Sequence, residues 1–494
     1  MRSTFLALSA AILLCGCSGF TGDAVPAGTE LQTVPDIRDV TVPSNIAPPN
    51  FTVVTESPCR TVFRSGDYSC SVRGRKVSVP RRKWRKLTSG STVSVTVYTA
   101  DEGGWSMQEP FAIHIGEPVD RYVTYRLIPP AYQSYGTIRI EQRDLTSFRT
   151  RLVYSNDLVQ DHERQQCVNC HHFRNHDAGN MQFHTRQYKG GTVILKDGRL
   201  KKVDLKTDST LSAGVYPAWH PTDADLIAYS VNSTTQNFHT VHPNRIEVMD
   251  LASDLILYDI GSDSISIIES DPDEFECFPA WAPDGKTLYY VSAHFHVPDS
   301  VDRADYIYAH YSDFHYDLYR KPFDPETRTW GKSVKVIDAA SANCSITLPR
   351  VSPDGRYLLF TMARYGVFHI WHKDADLYMA DLEGNRIRPL KEINSREVES
   401  YHSWSSGGRW MIFCSRRYDG NHTRLYLTCL NPDGTFTKPF LLPQRNPETD
   451  NGILLSYSIP EFTTGPVPAT AHGLASFVRN NEAVRVRFRS DRNN

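Results

Sequence analysis

The sequence predicts an all-β fold, and composition gives the first reason. Among 494 residues, 25 Tyr, 22 Phe and 8 Trp accompany 30 Pro and 29 Gly, a mixture that favours short strands joined by frequent turns. The 54 Lys and Arg nearly balance the 56 Asp and Glu, so the formal charge of -2 argues against nucleic acid as a partner. Two different strand patterns divide the chain into two parts.

The first part is a series of short alternating strands. Residues 92–98, 111–115 and 137–141 alternate polar and apolar side chains with a period of two. Such runs, broken by Gly and Pro, predict a β-sandwich of the immunoglobulin or fibronectin kind over residues 51–155. The Thr-, Pro- and Gly-rich residues 18–50 are typical of a tether.

The second part repeats one unit, in which a tight turn, often Asp-Gly, separates two strands and a third strand follows. The third strand carries a Leu-Tyr pair, such as Leu257-Tyr258. Unequal copies of such a unit predict a β-propeller with variable loops over residues 181–465. The four copies begin at Tyr216, Phe278, Leu348 and Tyr401.

The ends of the repeat predict how the propeller closes. Residues 456–462 resemble the opening of another copy, and residues 181–205 look like three strands that lack a first strand. Joining the two gives five blades, and six is the alternative if a further strand lies near residues 476–478. Residues 156–180 then form a junction between the domains, and residues 466–494 form a tail that partly closes the propeller.

The N-terminus, residues 1–17, resembles a bacterial lipoprotein signal peptide. Arg2 precedes about a dozen small or apolar residues, a core too short to span a bilayer. Leu14-Cys15-Gly16-Cys17 resembles the lipobox, in which cleavage precedes a cysteine that becomes acylated, here Cys17; ordinary secretory cleavage nearby is the alternative. Ser18 resembles the signal for outer-membrane sorting. The sequence therefore predicts a lipid-anchored protein of the bacterial cell envelope, without indicating the leaflet.

Export changes how the ten cysteines are interpreted. Cys59 and Cys70 flank a turn signal at residues 65–67, and an oxidising compartment would allow a disulfide between them. Cys414 and Cys429 are candidates for a second bridge.

One motif carries specific chemistry, because Cys167-Val168-Asn169-Cys170-His171 has the Cys-x-x-Cys-His spacing of c-type haem attachment. Two such thiols form thioethers to the haem vinyl groups, and the histidine is the proximal iron ligand. The motif predicts one haem c, held by Cys167 and Cys170 with His171 on the iron. The alternatives are a redox dithiol, a disulfide, or zinc bound by the cysteines and two of four histidines. These are His171, His172, His176 and His184.

The distal haem ligand is either His184 or Met181. In a strand these two side chains point to opposite faces, so only one of them can meet the iron. A methionine ligand would raise the reduction potential relative to two histidines.

Six further histidines lie in long insertions after the second strand of two adjacent repeats. Equivalent loops of adjacent blades emerge on one face, so these side chains could gather as a metal or substrate site. The alternative is a set of solvated loop histidines. They are His239, His242, His294, His296, His310 and His315.

Several stretches carry a family resemblance: residues 125–129, 167–171, 236–239, 400–406 and 438–444. In addition, Trp281-Ala282-Pro283-Asp284-Gly285 is close to the Trp-Ser-Pro-Asp-Gly core of TolB-like (WD40-like) propeller repeats. Residues 40–462 thereby resemble a group of Bacteroidetes-type exported lipoproteins that combine a sandwich, a Cys-x-x-Cys-His junction and a TolB-like β-propeller. The resemblance implies architecture and haem more than activity.

Three functions compete. The first is an envelope electron-transfer lipoprotein with one c-type haem, whose propeller docks a redox or other envelope protein partner. The second is a haem-free binding or scaffold lipoprotein. The third is a metal-dependent lyase or hydrolase acting on acidic sugars. No Ser-His-Asp or paired-carboxylate spacing stands out, so the sequence leans against an enzyme.

The lipid anchor gives the first testable prediction. Cys17→Ala removes the thiol that follows the lipobox cleavage position, so the variant should move from the membrane fraction to the soluble fraction. Fractionation with metabolic lipid labelling measures this. A variant that stays membrane-bound with an unchanged label would contradict it.

Overall fold

The computed structural model describes residues 24–102, 104–129 and 136–489. Within these residues, strands predominate and only three α-helices occur, so the predicted all-β class is confirmed. None of the helices described is long and apolar enough to cross a membrane. The predicted acylation site, Cys17, lies outside the described residues.

The N-terminal part consists of two sheets and one helix, α1 (Arg81–Leu87). Strands β1, β3, β5, β6, β8, β9 and β10 form a seven-stranded sheet, and β2, β4 and β7 form a three-stranded one. The strand bounds are β1 (Val25–Pro26), β2 (Thr33–Val34), β3 (Val40–Pro43), β4 (Phe51–Val53), β5 (Cys59–Ser65), β6 (Tyr68–Arg73), β7 (Lys76–Val77), β8 (Thr92–Asp101), β9 (Gly104–Met107) and β10 (Phe111–Gly116).

Apolar side chains join the two sheets face to face. The ring of Phe51 in the small sheet meets Phe63 and Phe111 of the large sheet edge-on, with ring centroids 6.3 and 6.4 Å apart. Residues 24–50, the described part of the predicted tether at residues 18–50, differ from that expectation. Val40 and Val42 are fully buried in β3, because β3 pairs in parallel with β10 and extends the large sheet.

The rest of the chain folds into successive groups of antiparallel strands. The bounds in the first half are β11 (Tyr122–Ile128), β12 (Arg139–Asp144), β13 (Thr150–Ser155), β14 (Gln166–Arg174), β15 (Asp177–Gln187), β16 (Gly191–Lys196), β17 (Arg199–Asp204), β18 (Val215–Trp219), β19 (Leu226–Phe238), β20 (Ile246–Asp259) and β21 (Ser264–Glu269). Helix α2 (Arg303–Ala309) packs on β20.

The bounds in the second half are β22 (Glu274–Trp281), β23 (Thr287–His294), β24 (Asp317–Asp324), β25 (Thr329–Trp330), β26 (Val334–Ile337), β27 (Ser345–Val351), β28 (Tyr357–Ala363), β29 (Asp376–Asp381), β30 (Arg386–Pro389), β31 (Glu399–Trp404), β32 (Trp410–Ser415), β33 (Arg424–Cys429), β34 (Phe440–Leu441) and β35 (Ser456–Thr463). Helix α3 (Ala471–Asn480), β36 (Val484–Arg485) and β37 (Arg487–Phe488) follow. Short 3₁₀ turns lie at Asn156–Leu158, Tyr311–Asp313, Ala340–Ala342, His369–Trp371 and Thr449–Gly452.

Six sheets follow one another, each with one inner strand, and a single parallel bridge between Ser253 and Phe275 makes the third and fourth continuous. The first consists of β11 to β13 with β35, the second of β14 to β17, and the third of β18 to β21. The fourth consists of β22 to β26, the fifth of β27 to β30, and the sixth of β31 to β34. Their inner strands contact one another in the cyclic order β35, β14, β18, β22, β27, β31 and back to β35. This arrangement is the propeller-type fold that the repeat predicts.

The tryptophans of the repeat link neighbouring sheets. The Trp281 indole N–H donates to the Ala218 carbonyl in the preceding sheet at 3.1 Å, and that of Trp404 donates to the Arg350 carbonyl at 3.3 Å. Each ring also fills the gap between two sheets, because a propeller buries its apolar faces only against the next blade.

The C-terminal strand closes the propeller, but the strand it pairs with is not the predicted one. Residues 456–463 pair antiparallel with β11, from Tyr122 opposite Thr463 to Ile128 opposite Ser456, and not with residues 181–205. Residues 181–205 obtain their first strand from β14, which contains the cysteine motif. Residues 122–155 therefore belong to the propeller rather than to the sandwich, and residues 156–180 contain an inner strand rather than a junction. The tail contributes β36 and β37, which add to the outer edges of β17 and β21.

The N-terminal sheets dock on the sixth sheet. The buried Trp410 ring lies so close to Gly116 that a Cβ there would meet it at 3.0 Å. The Trp410 indole N–H donates to the Glu117 carbonyl at 3.1 Å, directly after the last N-terminal strand. One apolar core therefore runs from the N-terminal sheets into the propeller.

Both predicted disulfides are contradicted by strand register. In the hairpin of β5 and β6, Cys70 lies opposite Phe63, four residues from Cys59. Cys429 lies opposite Trp410, four residues from Cys414. Four residues of strand span about 13 Å, whereas a disulfide needs Cα atoms within about 7 Å. The sequence located the hairpins but gave no information on register.

A cross-link tests the observed closure. Directly opposed residues of an antiparallel pair have Cα atoms about 4.5–5.5 Å apart, so Tyr122→Cys with Thr463→Cys should form a disulfide on mild oxidation. Non-reducing electrophoresis detects it by a mobility shift that reductant reverses. The control, Thr185→Cys with Thr463→Cys, tests closure against residues 181–186 and should not cross-link. A cross-link in the control pair and none between residues 122 and 463 would instead support closure against residues 181–186.

Candidate functional site in the central channel

The inner strands surround a channel with two wide chambers. One chamber, here the motif cavity, has a volume of about 460 Å³ and is lined by Cys167, Cys170 and His184 among others. The other, the far cavity, has about 430 Å³ and is lined by His172 and His176 among others. Between them lies a constriction of about 20 Å³, room for roughly one water.

The constriction separates the chambers through shared side chains. It shares Cys170, Tyr216, Tyr401 and Ile459 with the motif cavity. It shares Pro217, Pro279, Arg350 and Glu461 with the far cavity. His171 lines this constriction and does not line either chamber.

A bulge in β14 brings both motif cysteines to one cavity. In a regular strand, residues three positions apart face opposite sides. The pairing of β14 with β15 shifts between Asn169 and His172, and Cys170 has a φ of 50°. Cys167 and Cys170 both line the motif cavity as a result. The Gln182 side-chain amide donates to the Cys170 carbonyl and satisfies that buried group.

The bulge is a property of the fold and not of the motif alone. Register shifts occur in the other inner strands too, and four further residues there have a positive φ. They are Tyr216, Phe278, Leu348 and Ile459. The positive φ of Cys170 therefore does not by itself indicate a functional site. What distinguishes this bulge from the others is that its side chain is a cysteine.

His171 is buried beside Cys170. Its side chain is 1% exposed, and neither ring nitrogen forms a hydrogen bond of normal geometry among the described residues, although the Thr124 backbone is close enough to act on its pKa. Burial lowers its pKa to about 4, although the charge of Glu461 opposes this shift. The imidazole is therefore neutral at pH 7, the form that binds a metal.

His184 and Met181 face opposite sides of β15, as the sequence predicts. His184 lines the motif cavity, and its Nδ1 lies 3.0 Å from the Thr192 hydroxyl, which leaves Nε2 for a ligand. Burial, with a smaller effect of Arg186, lowers the His184 pKa to about 3. Met181 packs instead in the apolar core with Phe183, away from the cavity.

Two arginines in the motif cavity were not identified from the sequence. Arg126 comes from β11 and Arg186 from β15, and both line the cavity. The remaining wall includes apolar side chains, with Ile128, Val215 and Ile459 among them. The strand pattern of the sequence places Arg126 in the sandwich. It gives no indication that Arg126 approaches Cys167, because that proximity depends on the closure by β35.

The other histidines of the motif region face the far cavity. His172 Nδ1 lies 2.8 Å from the Glu461 carboxylate, and His176 Nδ1 lies 3.1 Å from the Phe462 carbonyl. Burial alone would raise the Glu461 pKa, but the charge and hydrogen bond of His172 lower it. A zinc site that combines the cysteines with His172 or His176 would have to span the constriction.

Of the six loop histidines, the structure brings together two. His239 and His242 lie side by side, with ring centroids 5.1 Å apart. The remaining four do not join them. Three of these have local carboxylate partners: His294 with Glu274, His296 with Asp273, and His310 with Asp313.

Comparison with protein-family models and with curated proteins found no match. Solved structures with propeller folds are similar at low identity. Tricorn protease has 14% identity and a TM-score of 0.33, and the match covers 82% of this chain but 36% of that one. A puromycin-hydrolysing peptidase of Mycobacterium tuberculosis has 12% identity and a TM-score of 0.34, with 72% and 52% covered. An oligogalacturonate lyase in complex with manganese has 13% identity and a TM-score of 0.31, with 70% and 87% covered.

The buried neutral state of His184 predicts a pH effect on stability. Its pKa is about 3 in the folded protein, below the unfolded value of about 6.5, so the unfolded chain binds more protons as the pH falls below 6.5. Between pH 6.5 and 5 this group should remove about 2 kcal/mol of unfolding free energy. Denaturant titrations at pH 7 and pH 5 of protein made without a haem-maturation system, in which His184 binds no iron, should show a smaller loss for His184→Gln than for the wild type. The exposed His472→Gln control should lose as much as the wild type; equal losses in all three would contradict the interpretation.

Proposed function

We propose that the protein is a lipid-anchored lipoprotein of the bacterial cell envelope that holds one covalent c-type haem in the motif cavity and transfers electrons. The observation that supports this most directly is that Cys167 and Cys170 line the same cavity although they lie in a strand. Only the bulge at Cys170 permits that arrangement, and two thiols on one cavity are what double thioether attachment requires.

The walls of the cavity suit such a group. Its volume of about 460 Å³ lies in the range of cofactor pockets, and its lining combines apolar side chains with a polar row that includes Asn232, Thr234 and Gln236. Arg126 and Arg186 add two guanidinium groups, which can pair with the two propionate carboxylates of a haem. When bound, a haem supplies one-electron redox chemistry, whose potential the axial ligands and the surrounding polarity set.

Two histidines are available as iron ligands. His171 would be the proximal ligand, because it directly follows Cys170 at the constriction that bounds the cavity, and its buried ring nitrogens form no hydrogen bond of normal geometry among the described residues. We assign His184 as the distal ligand, because it lines the cavity while Met181 packs in the core. The Thr192 hydroxyl at Nδ1 would orient the His184 ring, as outer partners of metal-bound histidines do.

The architecture serves this function as a platform. We infer that the six sheets are the blades of a six-bladed propeller closed by β35, and that the N-terminal sheets, with bounds of residues 25–116, form the β-sandwich of an immunoglobulin or fibronectin kind. The propeller would dock the redox partner, and acyl chains on Cys17 would hold the protein at the outer membrane.

Covalent attachment is tested by variants made with a haem-maturation system. The wild type should keep its haem absorbance after denaturation, whereas Cys167→Ala and Cys170→Ala should each weaken or abolish that covalent absorbance. Cys429→Ala, which removes an equally buried cysteine in the sixth sheet, is the control and should keep it. His184→Ala should convert a low-spin spectrum to high-spin, whereas Met181→Leu should leave it unchanged.

The same spectrum of denatured protein also distinguishes the second function, a binding or scaffold lipoprotein without haem. If protein purified from its native host carries no haem after denaturation, the electron-transfer function is wrong. The channel would then be a ligand site in a binding or scaffold lipoprotein.

A further inference from the structure

A second cluster of potential ligands lies on the long hairpin of β19 and β20. This hairpin extends beyond its sheet, and its loop carries His239 and His242, with Glu247 at the start of β20. One ligand atom from each of these three side chains lies within 4.8 Å of the others. None of the three lines the motif cavity, so the cluster is separate from the cysteine motif.

The carboxylate of Glu247 is buried and held in place. The residue is 2% exposed, although a buried carboxylate costs several kcal/mol unless it is paired or hydrogen-bonded. The Tyr365 hydroxyl donates to one oxygen at 2.9 Å, and His372 Nε2 lies 2.9 Å from the other. These partners come from the loop that joins β28 and β29 in the fifth sheet, so this loop positions a carboxylate of the third sheet.

The two histidines also present ligand atoms. His239 Nε2 is buried and has no hydrogen-bond partner among the described residues. The Asn244 backbone N–H donates to His242 Nδ1 at 3.1 Å, and the Asn244 carbonyl lies 3.4 Å from the same nitrogen. Nε2 is therefore the nitrogen of His242 that is left for a metal, with Nδ1 on a backbone partner. Aromatic rings shield the site, with Tyr311 at 5.7 Å from His239 between centroids.

We propose that His239, His242 and Glu247 bind a divalent transition-metal ion of the Zn²⁺ type. Two imidazoles and a carboxylate are a donor set of zinc sites that keep a fourth position open for water or substrate. A metal would satisfy the unpartnered nitrogen of His239 and compensate the buried charge of Glu247. His372 and Tyr365 act as positioning residues through Glu247.

Titration of the chelator-treated full-length mature protein with ZnCl₂, followed by calorimetry, tests the site. The wild type should bind one equivalent that the Cys167→Ala, Cys170→Ala double variant retains, which separates this site from the cysteine motif. The His239→Ala, His242→Ala double variant should lose it. The matched control is His294→Ala with His296→Ala, which removes two loop histidines that have carboxylate partners of their own, and it should bind as the wild type does.

Conservative changes keep the test valid if alanine variants fold poorly. Glu247→Gln preserves size and can still accept from Tyr365, yet should weaken Zn²⁺ binding at least tenfold. His372→Ala should weaken binding by about 10–100-fold without changing the stoichiometry, as loss of an outer partner does. The proposal is wrong if the wild type binds no Zn²⁺ beyond what the cysteine variants lose. It is equally wrong if the control and the ligand variants lose binding alike, or if Glu247→Gln binds as the wild type does.

Discussion

The pairing of Ser456–Thr463 with Tyr122–Ile128 is the interaction on which the rest of the structure depends. It joins strands from opposite ends of the propeller, and closure entropy rises only slowly with the length of chain enclosed. The pairing is buried: the Gln142 amide donates to the Thr463 hydroxyl at 2.9 Å, and Tyr125 packs on Tyr457. It also brings Arg126 to the motif cavity and Glu461 to the constriction. Without it, β11 would expose an unpaired edge and both chambers would lose a wall.

The chemistry of the channel follows from a bulge that the inner strands share. At most of these positions the bulge presents an apolar or aromatic side chain, as at Phe278 and Ile459, which narrows the channel. In β14 the same backbone feature presents Cys170 and aligns it with Cys167 on one cavity. The fold thus gives the motif its geometry without a helical cytochrome domain, and Gln182 holds the bulge by binding the Cys170 carbonyl.

Local patterns predicted the strands, the repeat and the all-β class, because alternation and turn residues act over a few positions. They could not assign residues 122–155 to the right domain, since a sandwich strand and a blade strand have the same period. Local patterns also do not determine which residues of two paired strands lie opposite each other. For that reason the sequence suggested a disulfide between Cys59 and Cys70. The period of a strand alone was enough to predict that the His184 and Met181 side chains face opposite sides of β15. The cluster of His239 and His242 with Glu247 was only half predictable, because Glu247 carries no spacing signal.

Covalent attachment of haem to the motif cysteines, which we propose, can be measured by peptide-mapping mass spectrometry of denatured protein from the native host, after alkylation of accessible thiols. The peptide containing Cys167 and Cys170 should carry the added mass of one haem and no alkyl groups. The same digest should show Cys277 and Cys429 alkylated, which proves that denaturation exposed buried thiols. A peptide with both motif cysteines alkylated and no added haem would rule out covalent haem in this protein.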